Sequence, residues 1–220
     1  GKKTGCCLKR RAMIKTTSHS QEEIIASILK LHSANGCIDL DPTYSKGVFY
    51  KGSIKEPRYC FDIEPKFPHV GQACATKLPL PDNHVDTIMF DPPFLATQGP
   101  SLKESTNGNI INSRFGVYPT EKLLHEFYDY SLMEFYRILR KNGIVIFKCQ
   151  DKVSSGKQYF SHCFVYNKAI ENGFYPKDFF ILLAKHRIVA DWQKKNQKHA
   201  RKYHSYFWVF QKKGRKINYV

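Results

Sequence analysis

The sequence predicts a doubly wound α/β sheet. Short apolar, strand-like runs alternate with amphipathic segments of helical period along most of the chain. One run, Ile144-Val-Ile-Phe-Lys-Cys149, is almost continuously apolar, as in strands buried on both faces of a parallel sheet. Asn-Gly pairs at 35–36, 142–143 and 172–173 follow the amphipathic segments, where helices stop. In such sheets ligands collect at the carboxyl ends of the strands, near the point where strand order reverses.

Ser20-Gln-Glu-Glu23 is a capping box, and Ile24, Ile25, Ile28, Leu29 and Leu31 follow at helical spacing. That helix is expected to end at Asn35-Gly36. Strands are expected at 37–41, where Pro42 stops the run, at 58–63, at 72–76 and at 85–90. Residues 95–118 read as a loop rich in Gly and Asn. Irregular stretches of that length inside a compact domain are usually functional or mobile. Thr120 caps a long amphipathic helix expected to run to Asn142-Gly143. Then come the strand 144–149, a helix over about 156–171, and strands at 179–183 and 203–210, seven strands in all.

The 220 residues carry 42% hydrophobic and 14% aromatic side chains, enough for a real core, so a wholly disordered chain is excluded. No run of 18 apolar residues occurs, and the first 20 residues lack the apolar stretch of a secretory signal, so no membrane partner is expected. The net charge of +16 sits at the ends. Residues 1–20 carry six basic residues and no acid, and residues 185–220 carry eleven and only Asp191. The body between them is neutral. A neutral body with two cationic ends suits a polyanion better than a small neutral substrate. Solubility is the alternative reading of such ends. The expected division is a basic extension over 1–19, one domain over 20–213 with a substrate loop at 95–118, and a basic tail over 214–220.

The seven cysteines form no CxxC pair, and no Cys/His grouping has zinc spacing, so no metal site is expected. The odd count without a secretory signal points to a reducing, intracellular compartment.

Asp91-Pro92-Pro93-Phe94 ends the fourth expected strand. Two prolines remove two backbone donors and stiffen the chain leaving the strand. An acid, rigid carbonyls and an aromatic face form a receptor for a planar base with an exocyclic amine. The amine donates to the Asp91 carboxylate and the Pro92 carbonyl while Phe94 stacks on the ring. Two acceptors holding its hydrogens favour a pyramidal nitrogen able to attack an electrophilic methyl group. A turn that merely ends a strand is the plainer alternative.

The motif resembles the (D/N/S)PP(Y/F/W) signature of the S-adenosylmethionine-dependent amino-methyltransferases, which methylate N6 of adenine or N4 of cytosine in DNA, with related enzymes acting on RNA. Gly143–Gln150 and His204–Phe207 look like the closing half of phage and bacterial members. The resemblance spans about residues 20–212. It implies a Rossmann-like seven-stranded class I methyltransferase fold, a mostly parallel sheet with an antiparallel last strand. It also implies S-adenosyl-L-methionine as cofactor. Asp91, Pro92, Pro93 and Phe94 would be catalytic. The cofactor would lie against Asp41, Pro42, Thr43, Ser45 and Gly47 after the first strand. Asp62, with Glu64 as the alternative, would hold the ribose hydroxyls; Thr76, Lys77 and Leu78 would meet the adenine; and Asp91 would adjoin the donor.

Lys185, Arg187, Lys194, Lys195, Lys198, Arg201 and Lys202 read as nucleic-acid contacts. Lys148 is anomalous within an apolar strand, and pairing with a nearby acid is its simplest explanation. DNA is expected over RNA, and N6 of adenine over N4 of cytosine. A non-catalytic nucleic-acid-binding subunit is the alternative of another class, because the loop after the first strand has one glycine where two or three are usual. No insert resembles a separate sequence-reading domain, so the expectation is relaxed or short sequence specificity, a single-stranded target, or help from a protein partner or a homodimer.

Overall fold

The computed structural model describes residues 13–96, 118–154, 156–185 and 197–214. Within them, ten strands and three helices are placed as follows: β1 (Thr17–Ser18), α1 (Gln21–His32), β2 (Leu40–Asp41), β3 (Tyr59–Asp62), β4 (Gly71–Gln72), β5 (Val85–Phe90), α2 (Glu121–Ile138), β6 (Leu139–Cys149), β7 (Lys152–Ser154), β8 (Lys157–Tyr159), α3 (Ser161–Glu171), β9 (Phe174–Leu183) and β10 (His204–Lys212). Eight strands form one sheet in the order β1-β9-β10-β6-β5-β2-β3-β4. β10 runs antiparallel to both neighbours, and the other pairings are parallel. The expected last strand is therefore the reversed one.

Period-two alternation sorts the strand residues onto two faces. Met89, Ile144, Ile146, Phe207 and Val209 meet Ile24, Ile25, Ile28 and Leu29 of α1. Ile88, Phe90, Val145 and Phe147 meet Leu124, Tyr128, Leu132 and Phe135 of α2 on the opposite face, where Val165 and Ala169 of α3 also pack. The result is three layers with helices on both sides of the sheet. Phe90 is edge-to-face with Phe135 at 4.8 Å and with Phe147 at 4.9 Å between ring centroids, which anchors β5 at its last residue.

α1 starts as expected: Ser20 accepts from the Glu23 amide at 3.2 Å. The reciprocal half of the box differs, because Glu23 takes a hydrogen bond from the Ser18 hydroxyl instead. Thr120 caps α2 by accepting from the Leu123 amide. The helix stops at Ile138, four residues before Asn142-Gly143. That pair lies inside β6, where Asn142 has φ of +69° and the register with β5 shifts between Val85 and Thr87. A Cβ on Gly143 would come within 2.9 Å of the Asp86 carbonyl, so the glycine serves a close strand crossing rather than a helix end.

α3 begins at Ser161, because Lys152–Ser154 and Lys157–Tyr159 pair as the antiparallel strands β7 and β8, with Gly156 between them at φ of +75°. The eighth strand of the sheet, β1, pairs with β9 from within the segment read as an extension. β2 keeps two residues of its expected run, β4 (Gly71–Gln72) keeps only Gln72 of its own, and β9 starts five residues earlier than expected, running through Pro176. β5 matches its expected bounds.

Candidate active site

The parallel strands deliver Asp41, Asp62 and Asp91 to their carboxyl ends, side by side in the order of β5, β2 and β3. Neighbouring strand ends bring together carboxylates that are up to 50 residues apart.

Asp91 follows Met89 on the α1 face, and Lys148 follows Ile146 on that same face of the adjacent strand. Lys148 Nζ donates to Asp91 Oδ2 at 3.1 Å and to Gln21 Oε1 at 3.1 Å. The anomalous lysine thus has the acid partner expected for it, and that acid belongs to the motif. The Asp91 amide donates to Thr43 Oγ1 at 3.0 Å, which ties the motif to the loop after β2. Burial pushes the Asp91 carboxyl above its ordinary range, and the Lys148 charge pulls it back part of the way.

The prolines stiffen the segment, and two side chains fix it further. Tyr128 of α2 donates to the Pro93 carbonyl at 2.6 Å. The Lys152 ammonium donates to the Phe94 carbonyl and pairs with buried Glu121 at 2.8 Å. Tyr128, Lys152 and Glu121 are parts of the site that carried no local signal in the sequence.

The loop after β2 is built around Asp41, which is 1% exposed. Asp41 Oδ1 accepts from the Thr43 amide at 2.8 Å, and Oδ2 accepts from the Tyr50 hydroxyl at 2.6 Å. Asp41 therefore shapes the loop from inside. Pro42 is buried beside it. The Ser45 amide reaches Asp62 Oδ2 at 2.8 Å, with Ser45 at φ of +50°. Gly47 is at φ of +58°, and a Cβ there would lie 2.5 Å from the Tyr44 hydroxyl, so the single glycine makes room for Tyr44. Asp62 Oδ1 accepts from the Glu64 amide at 2.9 Å. Each Asp62 oxygen thus accepts one backbone N–H and keeps a second lone pair, a pair of acceptors that fits two vicinal hydroxyls as donors.

Thr76 and Lys77 form a turn after β4, with the Lys77 side chain exposed. Leu78 is 4% exposed, packs into the core and is pinned by its amide to Glu134 at 2.7 Å. Its side chain belongs to the core rather than to the mouth of the sheet.

Burial pushes the Asp41 carboxyl from its ordinary 3.8 up to about 7, with the charge of Asp91 adding to the rise and the Tyr50 and Thr43 hydrogen bonds opposing it. The folded chain then holds more protons than the unfolded chain between those values, so stability falls as pH rises through that window. Asp91 is raised in the same direction. In chemical denaturation between pH 4 and pH 8, wild type is expected to lose stability on the order of a few kcal/mol. Asp41→Asn should flatten that decline, and an unchanged slope would remove Asp41 as its source.

Of the cationic residues, Lys185 follows β9 and Lys198, Arg201 and Lys202 precede β10. Lys185 and Lys198 are exposed. Because β10 is reversed, its start shares an edge with the ends of β9 and β6, and the Ala184 amide donates to the Tyr203 carbonyl at 2.8 Å. These four residues therefore flank the edge that holds Asp91. Arg187, Lys194 and Lys195 lie outside the described residues, as do most of the 95–118 loop and the basic ends. No helix among the described residues is long and apolar enough to cross a membrane.

No protein-family model matches the chain, and no curated protein matches it. Solved structures do. TrmN from Thermus thermophilus is similar at 16% identity over 89% of this chain and 50% of that one, with a TM-score of 0.50. In this chain the strand order β1-β9-β10-β6-β5-β2-β3-β4, with β10 antiparallel to both neighbours, decides the class.

The fold is that of the Rossmann-like class I methyltransferases.

The PvuII DNA methyltransferase (cytosine-N4-specific) matches at 15% identity over 61% of this chain and 44% of that one, with a TM-score of 0.43. The chain spans about half the length of both solved proteins. In this methyltransferase fold the order β4-β3-β2-β5-β6-β10-β9 carries the seven expected strands, and β1 is an addition at the edge.

Proposed function

We propose that this chain is an S-adenosylmethionine-dependent methyltransferase that modifies the exocyclic amine of a nucleobase, with N6 of adenine in DNA as the leading target. One observation carries the reading. β5 delivers a carboxylate, a rigid Pro-Pro segment and an aromatic ring to the open end of the sheet, and Thr43 links that segment to the loop after the neighbouring strand.

When bound, the cofactor supplies a methyl group on a sulfonium sulfur, which keeps the bonding pair as the methyl leaves. The chain's own residues prepare the nitrogen that receives it. Asp91 accepts one amino hydrogen. Tyr128 and Lys152 occupy the carbonyls of Pro93 and Phe94, so Pro92 supplies the acceptor for the second. Phe94 gives the base a face to stack on. As the nitrogen becomes cationic, the Asp91 carboxylate stabilises it, and the released proton passes to water. Asp62 supports the ribose hydroxyls of the cofactor through its remaining lone pairs. Thr43, Ser45 and the backbone up to Gly47 border the donor.

Nucleic acid is the substrate class that the charge supports. Lys185, Lys198, Arg201 and Lys202 flank the edge that carries Asp91, and the cationic excess lies in the ends of the chain. A duplex target requires the base to be flipped out, at about a few kcal/mol. A single strand avoids that cost. A second copy or a protein partner would supply further sequence reading.

The test is transfer of a labelled methyl group to pools of DNA and RNA, with mass spectrometry of the digested nucleosides. N6-methyladenine in DNA is the expected product. N4-methylcytosine, or product in RNA, would reassign the target within the class. Salt-dependent nucleic-acid binding with no calorimetric heat from S-adenosylmethionine would instead make the chain a binding subunit.

A further inference from the structure

The fold does not ask for a lysine at position 148. The residue continues the apolar run of a central strand, and its side chain is 12% exposed. A methionine would fill a similar volume without the desolvation of a charge. The lysine does, however, have a complete set of partners. Its ammonium meets two oxygens at 3.1 Å, Asp91 Oδ2 and Gln21 Oε1. Three rings surround it, with centroids at 5.2 Å (Phe49), 5.7 Å (Phe94) and 5.7 Å (Phe207). An acid with aromatic faces is a receptor for a cation. Two members of that receptor are assigned above to the base, Asp91 to its amine and Phe94 to the face of its ring.

We propose that Lys148 is a positioning residue, the built-in counter-ion that keeps Asp91 a hydrogen-bond acceptor, with its ammonium seated where the amino group of the base enters. The identity of the incoming amine rests on the methyltransferase reading; the counter-ion role does not.

The surroundings of Asp91 show why a counter-ion is required. From β2 the facing group is a second buried carboxylate, Asp41, with the Tyr50 hydroxyl held on it at 2.6 Å. From α2 it is the neutral phenol of Tyr128. From β6 it is Lys148. Among these groups only Lys148 favours the ionised carboxylate, and burial favours the acid. A protonated Asp91 would spend one oxygen as a donor and lose its charge, and so could not stabilise a nitrogen turning cationic.

The ammonium also guards the site in the correct sense. An amine that arrives replaces one N–H donor on Asp91 by another, so the carboxylate is never left bare. Gln21, already bonded to Lys148, offers the displaced ammonium a place to remain. The cation thereby leaves the carboxylate as the nitrogen begins to gain positive charge, where a second cation would raise the barrier.

The experiment is a carboxyl-carbon NMR titration of the full chain labelled at aspartate, in wild type, Lys148→Met and Lys148→Arg, with Asp91→Asn to identify the resonance. Loss of a charge at this distance should raise the Asp91 titration midpoint by about 1–3 pH units in Lys148→Met. Lys148→Arg should return it towards wild type. A midpoint in Lys148→Met within about half a unit of wild type would overturn the proposal. Lys148→Gln offers the same comparison should Lys148→Met fail to fold. In methyl-transfer assays the acidic limb of the pH profile should move up by a similar amount in Lys148→Met, with rescue by Lys148→Arg. If wild type transfers no methyl group, the functional reading fails, and the titration still decides the role of Lys148.

Discussion

Asp91→Ala is expected to lower methyl transfer by about 10²–10³-fold, the usual cost of deleting one preorganised group that stabilises developing charge. The reasoning is electrostatic. The amino nitrogen of a nucleobase is a weak nucleophile that turns cationic as it bonds to carbon. Asp91 is the carboxylate at the end of the strand that carries the rigid Pro-Pro segment. Its removal takes away both the acceptor and the negative charge. Asp91→Asn keeps an acceptor oxygen but no charge, so it should fall between wild type and Asp91→Ala. The alanine also strands the Lys148 ammonium, so thermal unfolding of both variants is needed to separate chemistry from stability. Transfer by Asp91→Ala within about threefold of wild type would remove this residue from the reaction and end the case built on it.

Phe90→Ala should destabilise the folded chain by about 3–5 kcal/mol, measured from the denaturant midpoint. Phe90 is fully buried one residue before Asp91 and lies against Phe127, Phe135 and Phe147. The truncation opens a cavity between β5, β6 and α2, and neighbouring rings in edge-to-face contact cannot collapse into it without losing their geometry. Phe90→Leu keeps more of the volume and should cost markedly less. A loss under about 1 kcal/mol in Phe90→Ala would mean that the end of β5 is looser than its packing indicates. The same cavity should degrade methyl transfer, because the ring holds the strand whose next residue is Asp91, the carboxylate proposed to accept from the amine.

The elements that the sequence displays best are those whose signal is local. Val85–Phe90 closes on the apolar run Ile88-Met89-Phe90, is followed by Asp91 and a double proline, and appears as a strand with those bounds. The starts of α1 and α2 follow from Ser20 and Thr120, whose side chains do accept the expected backbone hydrogens. The end of α2 was legible only in part. Asn142-Gly143 suits a helix stop and a strand bulge equally well, and the approach of the Asp86 carbonyl selects the bulge. β8, the second strand of the β7–β8 hairpin, falls within the helix expected over about 156–171, because so short a strand carries no clear apolar period.

The candidate site divides in the same way. The sequence by itself determined the doubly wound class, the position of Asp91-Pro92-Pro93-Phe94 at a strand end, the acids Asp41 and Asp62 at two others, and the concentration of positive charge in the ends of the chain. Such features depend on period, turn chemistry and composition, which neighbours along the chain dictate. Only the tertiary structure decided that Lys148 is the partner of Asp91, that Asp41 shapes its loop from within, and that Leu78 belongs to the core. These outcomes depend on strand order. β6 lies beside β5, and alternation turns residues 91 and 148 to one face, so two groups 57 residues apart become an ion pair once the sheet closes.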